Sequence, residues 1–301
     1  MKKIQILILT IGCLFFLMGA AGPPEVFFQM QDPIGDEHGP GNYQYPSNIA
    51  FRPYQGLFDI QEFKVWSERP GLVYFDTTFG KITNPWMAPE GFIHQNLRIF
   101  IDSVPKHGLT NLPQRGAKVS FNPKNAWDLC LKVVGWGNSR FLTVENDGLK
   151  NYPLQTELLG DGRTIRATLP ESSIGKPTKS WRYYVMVGSY DGFGEDFFRK
   201  VATTPGEWVI GGGADQLIEP RLLDILAPVK GPFNQMKQLR SFDPKTGKFA
   251  ELNPVGLKEN YLNIISWFFV FTVFLMIGAL IYLFYQKAYS ICWFWIKKKD
   301  K

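Results

Sequence analysis

Leu97-Arg98-Ile99-Phe100-Ile101-Asp102 alternates branched aliphatic residues with charged or aromatic ones. Successive side chains of an extended strand point to opposite faces, so Leu97, Ile99 and Ile101 share one face. Ile165, Ala167 and Leu169 alternate in the same way with Thr164, Arg166 and Thr168. Both patterns predict half-buried strands. Residues 72–75, 127–134 and 181–187 are apolar on both faces, which suits strands inside a sandwich. Turn-rich stretches at 106–116, 146–152 and 160–162 separate these runs. Many short strands with Gly/Pro turns, and no strand–helix alternation, predict an all-β fold, an antiparallel β-sandwich.

The two ends have a different character. Met1-Lys2-Lys3 precedes an uncharged apolar run over 4–18, and Gly19-Ala20-Ala21-Gly22 follows. This order predicts a signal peptide at 1–21, cut after Ala21. An uncleaved anchor and lipidation at Cys13 are the competing readings, and Thr10 fits the second poorly. Residues 262–285 contain no charge and are long enough to cross a bilayer as one C-terminal transmembrane helix. Tyr261, Trp267, Tyr282, Tyr285, Tyr289, Trp293 and Trp295 lie near its ends, as interfacial aromatics do. Lys287, Lys297, Lys298, Lys299 and Lys301 mark 286–301 as a basic cytoplasmic tail. The expected organisation is a displayed domain at 22–228, a juxtamembrane linker at 229–261, then the anchor. The expected location is the cell membrane, single-pass, with the domain outside.

The chain has 33 Lys+Arg against 27 Asp+Glu. The surplus cations sit in the two terminal segments, so 22–261 is formally neutral. That gives no reason to expect nucleic acid as a partner, which would need a basic patch on the folded domain. Of the 3 cysteines, Cys130 alone falls in the displayed region, so no internal disulfide is expected there. Its stability has to come from its core.

The densest polar motif is Asp32-Pro33-Ile34-Gly35-Asp36-Glu37-His38-Gly39-Pro40-Gly41-Asn42-Tyr43-Gln44-Tyr45-Pro46. Three carboxylates fall in a loop bent by glycines. Calcium takes six to eight oxygens from carboxylates, carbonyls and water, and a glycine-bent acidic loop supplies several. The spacing is not that of an EF-hand, and an acidic surface turn is the plain alternative. Asp191-Gly192-Phe193-Gly194-Glu195-Asp196 is a second acidic loop. Asp191, Glu195 and Asp196 there are candidates for a metal or for sugar hydroxyls, against an ordinary surface loop.

The motif at 32–46 resembles the opening signature of the glucodextranase C-terminal, DOMON-like domain family. Phe58-Asp59-Ile60, Asn84-Pro85-Trp86, Trp127-Asp128, Gly135-Trp136, Asp191-Gly192-Phe193-Gly194, Arg199, Gly211-Gly212-Gly213-Ala214 and then Arg221, Asp224 and Leu226 follow in the family's order. The resemblance spans about 28–228. It implies a DOMON-like β-sandwich related to carbohydrate-binding modules. It also implies structural calcium, held by Asp32, Asp36, Glu37 and Asp59. No catalytic domain is attached, so the family's link to glucan-degrading enzymes does not carry over.

Trp127 and Trp181 lie in apolar strands and are expected in the core. Trp86 and Trp136 lie in turn-like settings, where a flat ring can stack on the C–H face of a sugar. Gly211-Gly212-Gly213 is no phosphate cradle, because no Lys-Ser/Thr follows. His38, His94 and His107 lack zinc-type spacing, and no nucleophile elbow is present. The expected function is non-catalytic: a membrane-anchored module binding glucan-like polysaccharide or another cell-wall glycan. The alternative is an envelope-organising domain that contacts the cell wall or a surface protein.

Overall fold

The structure, a computed structural model, describes residues 23–68, 70–146, 148–214, 217–256, 272–273, 275–279, 281–282 and 286. Residues up to Gly256 belong to one compact unit and those from Leu257 on to another.

Two large sheets and a small two-stranded one build the first unit. One is five-stranded, in the order β1 (Glu25–Gln31), β2 (Ile60–Ser67), β3 (Leu72–Phe79), β10 (Thr164–Pro170), β9 (Gln155–Leu158). The other is six-stranded, in the order β12 (Asp224–Ile225), β11 (Arg182–Ser189), β4 (Gln95–Asp102), β6 (Leu129–Val133), β7 (Arg140–Glu145), β8 (Gly148–Pro153). Every pairing in both sheets is antiparallel. Phe63, Val65 and Phe75 from the first sheet meet Leu97, Ile99, Leu131 and Val185 from the second in one core. The predicted antiparallel sandwich is therefore the fold. On β10 the alternation holds, with Ile165, Ala167 and Leu169 facing that core.

On β4 it does not. All eight residues of this strand are buried, so it is not half-buried. A second core covers the outer face of the six-stranded sheet, where Phe100, Cys130, Tyr184 and Met186 meet Phe121, Trp127, Leu222 and Leu239. The Trp127 ring lies edge-on to Phe100 at 5.0 Å, and its indole N–H donates to the Asn111 carbonyl at 3.1 Å. Trp127 and Trp181 are both buried core residues.

Part of this cover comes from the region predicted as a linker. Residues 229–256 are folded, not a tether. They contain the short helix α2 (Gln235–Leu239), following α1 (Glu171–Ile174) in the chain, and strand β13 (Ala250–Leu252). β13 runs parallel to β5 (Val119–Phe121), and Val255 exchanges two backbone hydrogen bonds with Tyr183. The Gly and Pro residues that suggested a tether instead make tight turns between short elements. Leu239, Ala250, Leu252 and half-buried Phe242 supply the apolar cover.

Residues 272–273, 275–279, 281–282 and 286 of the second unit are helical. No helix among the described residues is long and apolar enough to cross a membrane. Most of the predicted span 262–285 lies outside the described residues, as do the predicted signal peptide 1–21 and tail residues 287–301.

Truncation after Pro228 should uncover the second core. Its melting temperature is expected to fall by roughly 10 °C or more against a chain ending at Gly256, since each large apolar side chain removed from water is worth about 1.5–3 kcal/mol. Thermal circular dichroism of the two chains measures this.

Candidate functional site

Asp32 ends the hydrogen-bonded edge of β1, and the loop after it turns back across the end of the sandwich. Gly35, Gly39 and Gly41 all take positive φ. At Gly39 a side chain would collide with the Tyr43 ring and the Leu222 carbonyl, so this return is open to glycine alone. The loop is pinned from the far end of the unit. Gly39 N–H donates to Leu223 at 2.7 Å, Tyr43 Oη to the Pro220 carbonyl at 2.5 Å, and Arg240 Nε to the Pro40 carbonyl at 2.6 Å.

This packing brings three carboxylates together. Asp32 Oδ1 accepts from Ala227 N–H at 3.0 Å, and Asp224 Oδ2 accepts from Ile60 N–H at 2.7 Å. Asp32 Oδ2, Asp36 Oδ1 and Asp224 Oδ1 are buried and have no hydrogen-bond partner. The ligand atoms of these three residues lie within 4.8 Å of one another. Unpaired carboxylate oxygens in a dry interior are costly, and three in one place repel each other. Burial, then the neighbouring carboxylates, pushes Asp32 up to about 8. Burial and Asp59 push Asp36 up to about 6, and Asp224 also rises well above its ordinary value, chiefly by burial. The donor set is all oxygen and carries three charges in full ionisation, which suits a hard divalent cation such as calcium.

Two of the predicted ligands have other partners. Glu37 accepts from Tyr45 Oη and from the backbone N–H groups of Gly56 and Phe58. Asp59 accepts from Gly35 N–H at 2.6 Å and Gln61 Nε2 at 2.8 Å. Both brace the loop through these bonds, and Asp224 completes the trio. The second acidic loop does not converge. Asp191 lies 3.6 Å from Arg199, Glu195 2.8 Å from Lys118, and Asp196 3.1 Å from Arg98 and 2.5 Å from Lys132.

The aromatic candidates also part company. The turn at Asn84 is closed by its own side chain, which accepts from Ala88 N–H and donates to the Ala88 carbonyl, both at 2.8 Å. That turn presents Trp86 at 39% exposure. Its ring neighbour is Trp208, 41% exposed, at 6.0 Å and tilted by 38°. Beneath them lie Phe51 and His94, with the Arg199 guanidinium 5.1 Å from the Phe51 ring and 5.8 Å from that of Trp208. Burial, reinforced by Arg199, lowers His94 to about 4, so it is a neutral plate under Trp86. Arg199 is fixed by the carbonyls of Trp208 and Tyr190 at 2.8 and 2.6 Å. Asn48 and Glu207, bonded to each other at 2.8 Å, lie beside Trp208 on the surface. Trp136, 49% exposed, lies on the turn after β6, where Glu90 accepts from its backbone N–H at 3.0 Å, and no ring partner is seen for it among the described residues.

The chain belongs to the family of C-terminal, SLH-like binding modules of glucodextranase, whose profile matches residues 27–254. That match runs past Pro228 to the end of β13, as the fold does. No curated protein matches the chain.

The nest sets a pH dependence. Carboxylates raised above their unfolded values favour folding while protonated, and that contribution is lost as pH rises through about 6 for Asp36 and about 8 for Asp32. In chelator, the melting temperature should therefore fall from pH 5 to pH 8.5, and Asp224→Asn should flatten the fall. A melting temperature that rises over this range, or an unaltered slope in the variant, would contradict the arrangement.

Proposed function

We propose that this chain displays a non-catalytic glycan-binding module at the cell surface, with glucan-like polysaccharide as its ligand. The reading rests on the Trp86–Trp208 pair. Two half-exposed rings at a shallow angle offer apolar faces to the C–H side of a sugar, while Glu207 and Asn48 offer acceptors and donors to its hydroxyls. The rings are held by the Asn84 turn and by Arg199, so little ordering cost is added on binding. The family membership supports a binding role. The export signal, the span 262–285 and the basic tail belong to this proposal as its means of display.

Calcium enters the same proposal as a structural ion. Asp32, Asp36 and Asp224 would hold it, with carbonyls and water completing the shell. Its charge would relieve the repulsion among the three and fix the loop to β12.

Two measurements test these claims. Trp208→Ala and Trp86→Ala should each weaken binding of maltooligosaccharide or dextran by roughly 30-fold, about 2 kcal/mol, in affinity electrophoresis. Trp136→Ala should leave it within about twofold. No retention of the unaltered protein on any glucan would sink the reading. For the ion, chelator should lower the melting temperature at pH 8, and Asp36→Ala should abolish that response. A melting curve indifferent to chelator would remove calcium from the proposal.

A further inference from the structure

A second, chemically different surface lies on the outer face of the six-stranded sheet. Arg98 on β4 pairs in register with Lys132 on β6, and Lys132 with Arg140 on β7. Three cations thus stand side by side across three strands. Like charges directly opposite on a sheet destabilise it. The next rung over is apolar, with Phe100 opposite Cys130 and Cys130 opposite Leu142.

Both rungs line a cleft of about 490 Å³. Asp196 is the single carboxylate in its lining. Its Oδ1 lies 3.1 Å from Arg98 Nη2 and 2.5 Å from Lys132 Nζ. Arg140 Nη1 donates to neutral acceptors, the carbonyls of Gly137 and Ser139, at 2.9 and 2.7 Å. Arg98 is buried and Lys132 nearly so, so water screens neither well. Three positive charges therefore share one negative charge in a concave, poorly hydrated place, where the field is focused.

The wall that carries Asp196 is strained. Asp196 and Phe197 both have positive φ, 49° and 62°. A bulky residue such as phenylalanine rarely adopts that conformation. The turn is held by Asn96 Nδ2 and Arg98 Nη2, which each donate to the Asp196 carbonyl at 3.0 Å. Gly116 gives it room, because a Cβ there would collide with the Glu195 carbonyl. The outcome is a fixed wall with the Phe197 ring 4.4 Å from Lys132 Nζ. Strain kept at this cost positions a carboxylate and a ring beside an unbalanced row of cations.

We infer that this cleft binds an acidic saccharide, with a ligand carboxylate seated between Lys132 and Arg140. There it supplies the second anion, so that charges alternate along the row from Arg98 to Arg140. Asp196 already shows a carboxylate docked on the other half of the row. The cleft volume suits a short oligosaccharide. Gln114, Asn138 and Asn151 line it with amides for hydroxyl groups, and Phe197 gives one apolar face. This ligand differs from the neutral glucan proposed for Trp86 and Trp208, and the two surfaces share no residue.

The test is calorimetric titration of the full-length protein with trigalacturonate, glycerol phosphate and maltotriose. Trigalacturonate should bind, and its Kd should rise several-fold between 50 and 500 mM NaCl as the charges are screened, the Debye length falling to about 4 Å. Arg140→Gln should weaken it by tenfold or more, and Arg140→Lys, which keeps the charge, by much less. Maltotriose binding should be the same in all three proteins, so loss of neutral-sugar binding reports on the tryptophan pair alone. The inference is overturned if trigalacturonate does not bind, or if Arg140→Gln leaves its affinity unchanged. It is also overturned if the two variants weaken it equally, or if glycerol phosphate binds as tightly, which would assign the row to phosphate.

Discussion

The fold depends on burying both faces of the six-stranded sheet. A sheet in a simple sandwich needs one apolar face and can leave the other to water. Here Phe100, Cys130, Tyr184 and Met186 point away from the main core and would be exposed without a second cover. That cover comes from β5, Trp127 just before β6, Leu222 just before β12, α2 and β13. The cover thins at β7, where Leu142 and Val144 are only half-buried against it. Phe100, Cys130 and Leu142 therefore act twice, as the margin of the second core and as the floor of the open cleft. The cleft lies where the second core ends.

The carboxylate nest is a joint between the two sheets. Asp32 follows β1 and Ile60 opens β2, both in the five-stranded sheet, while Asp224 belongs to β12 in the six-stranded one. Asp224 accepts from Ile60 N–H, and Asp32 from Ala227 N–H just past β12. Each acid thus satisfies a backbone donor of the opposite sheet with one oxygen and turns the other into the nest. The hydrogen bonds fix the geometry. The unpaired oxygens carry the electrostatic cost, which protonation or a cation must offset.

Period-two alternation was enough to read the sandwich, and apolar context was enough to place Trp127 and Trp181 inside it. Burial on the second face was harder, because Arg98 and Asp102 look like solvent-facing residues in a local window. Arg98 is inside only because Asp196, 98 positions later, brings its carboxylate. The same distance hid half of each site. Asp224 joins Asp32 across 192 positions, although a lone acid within Leu222-Leu223-Asp224-Ile225-Leu226 is itself a sign of a buried ionisable group. Trp208 pairs with Trp86 only through tertiary packing, while the Gly-Trp turn that drew notice to Trp136 says nothing about a second ring nearby. Glu37 stands among aspartates in the motif, and its longer side chain reaches the backbone of 56–58.

The segment 22–261 is formally neutral, but neutrality of a sum is not neutrality of a place. Three carboxylates face one another at one end of the sandwich, and three cations stand in line on its outer sheet. Neither full set of charges is required by the fold. One oxygen of Asp224 is enough to hold the Ile60 N–H, and an uncharged residue at Arg140 would still pair with β6. Each grouping costs stability in the isolated protein and would cease to do so when a charge of opposite sign arrives. The cost is of opposite sign in the two places, so one ligand cannot relieve both. A neutral sugar would relieve neither, so the tryptophan pair, the carboxylate nest and the cation row are three chemically separate features of one module.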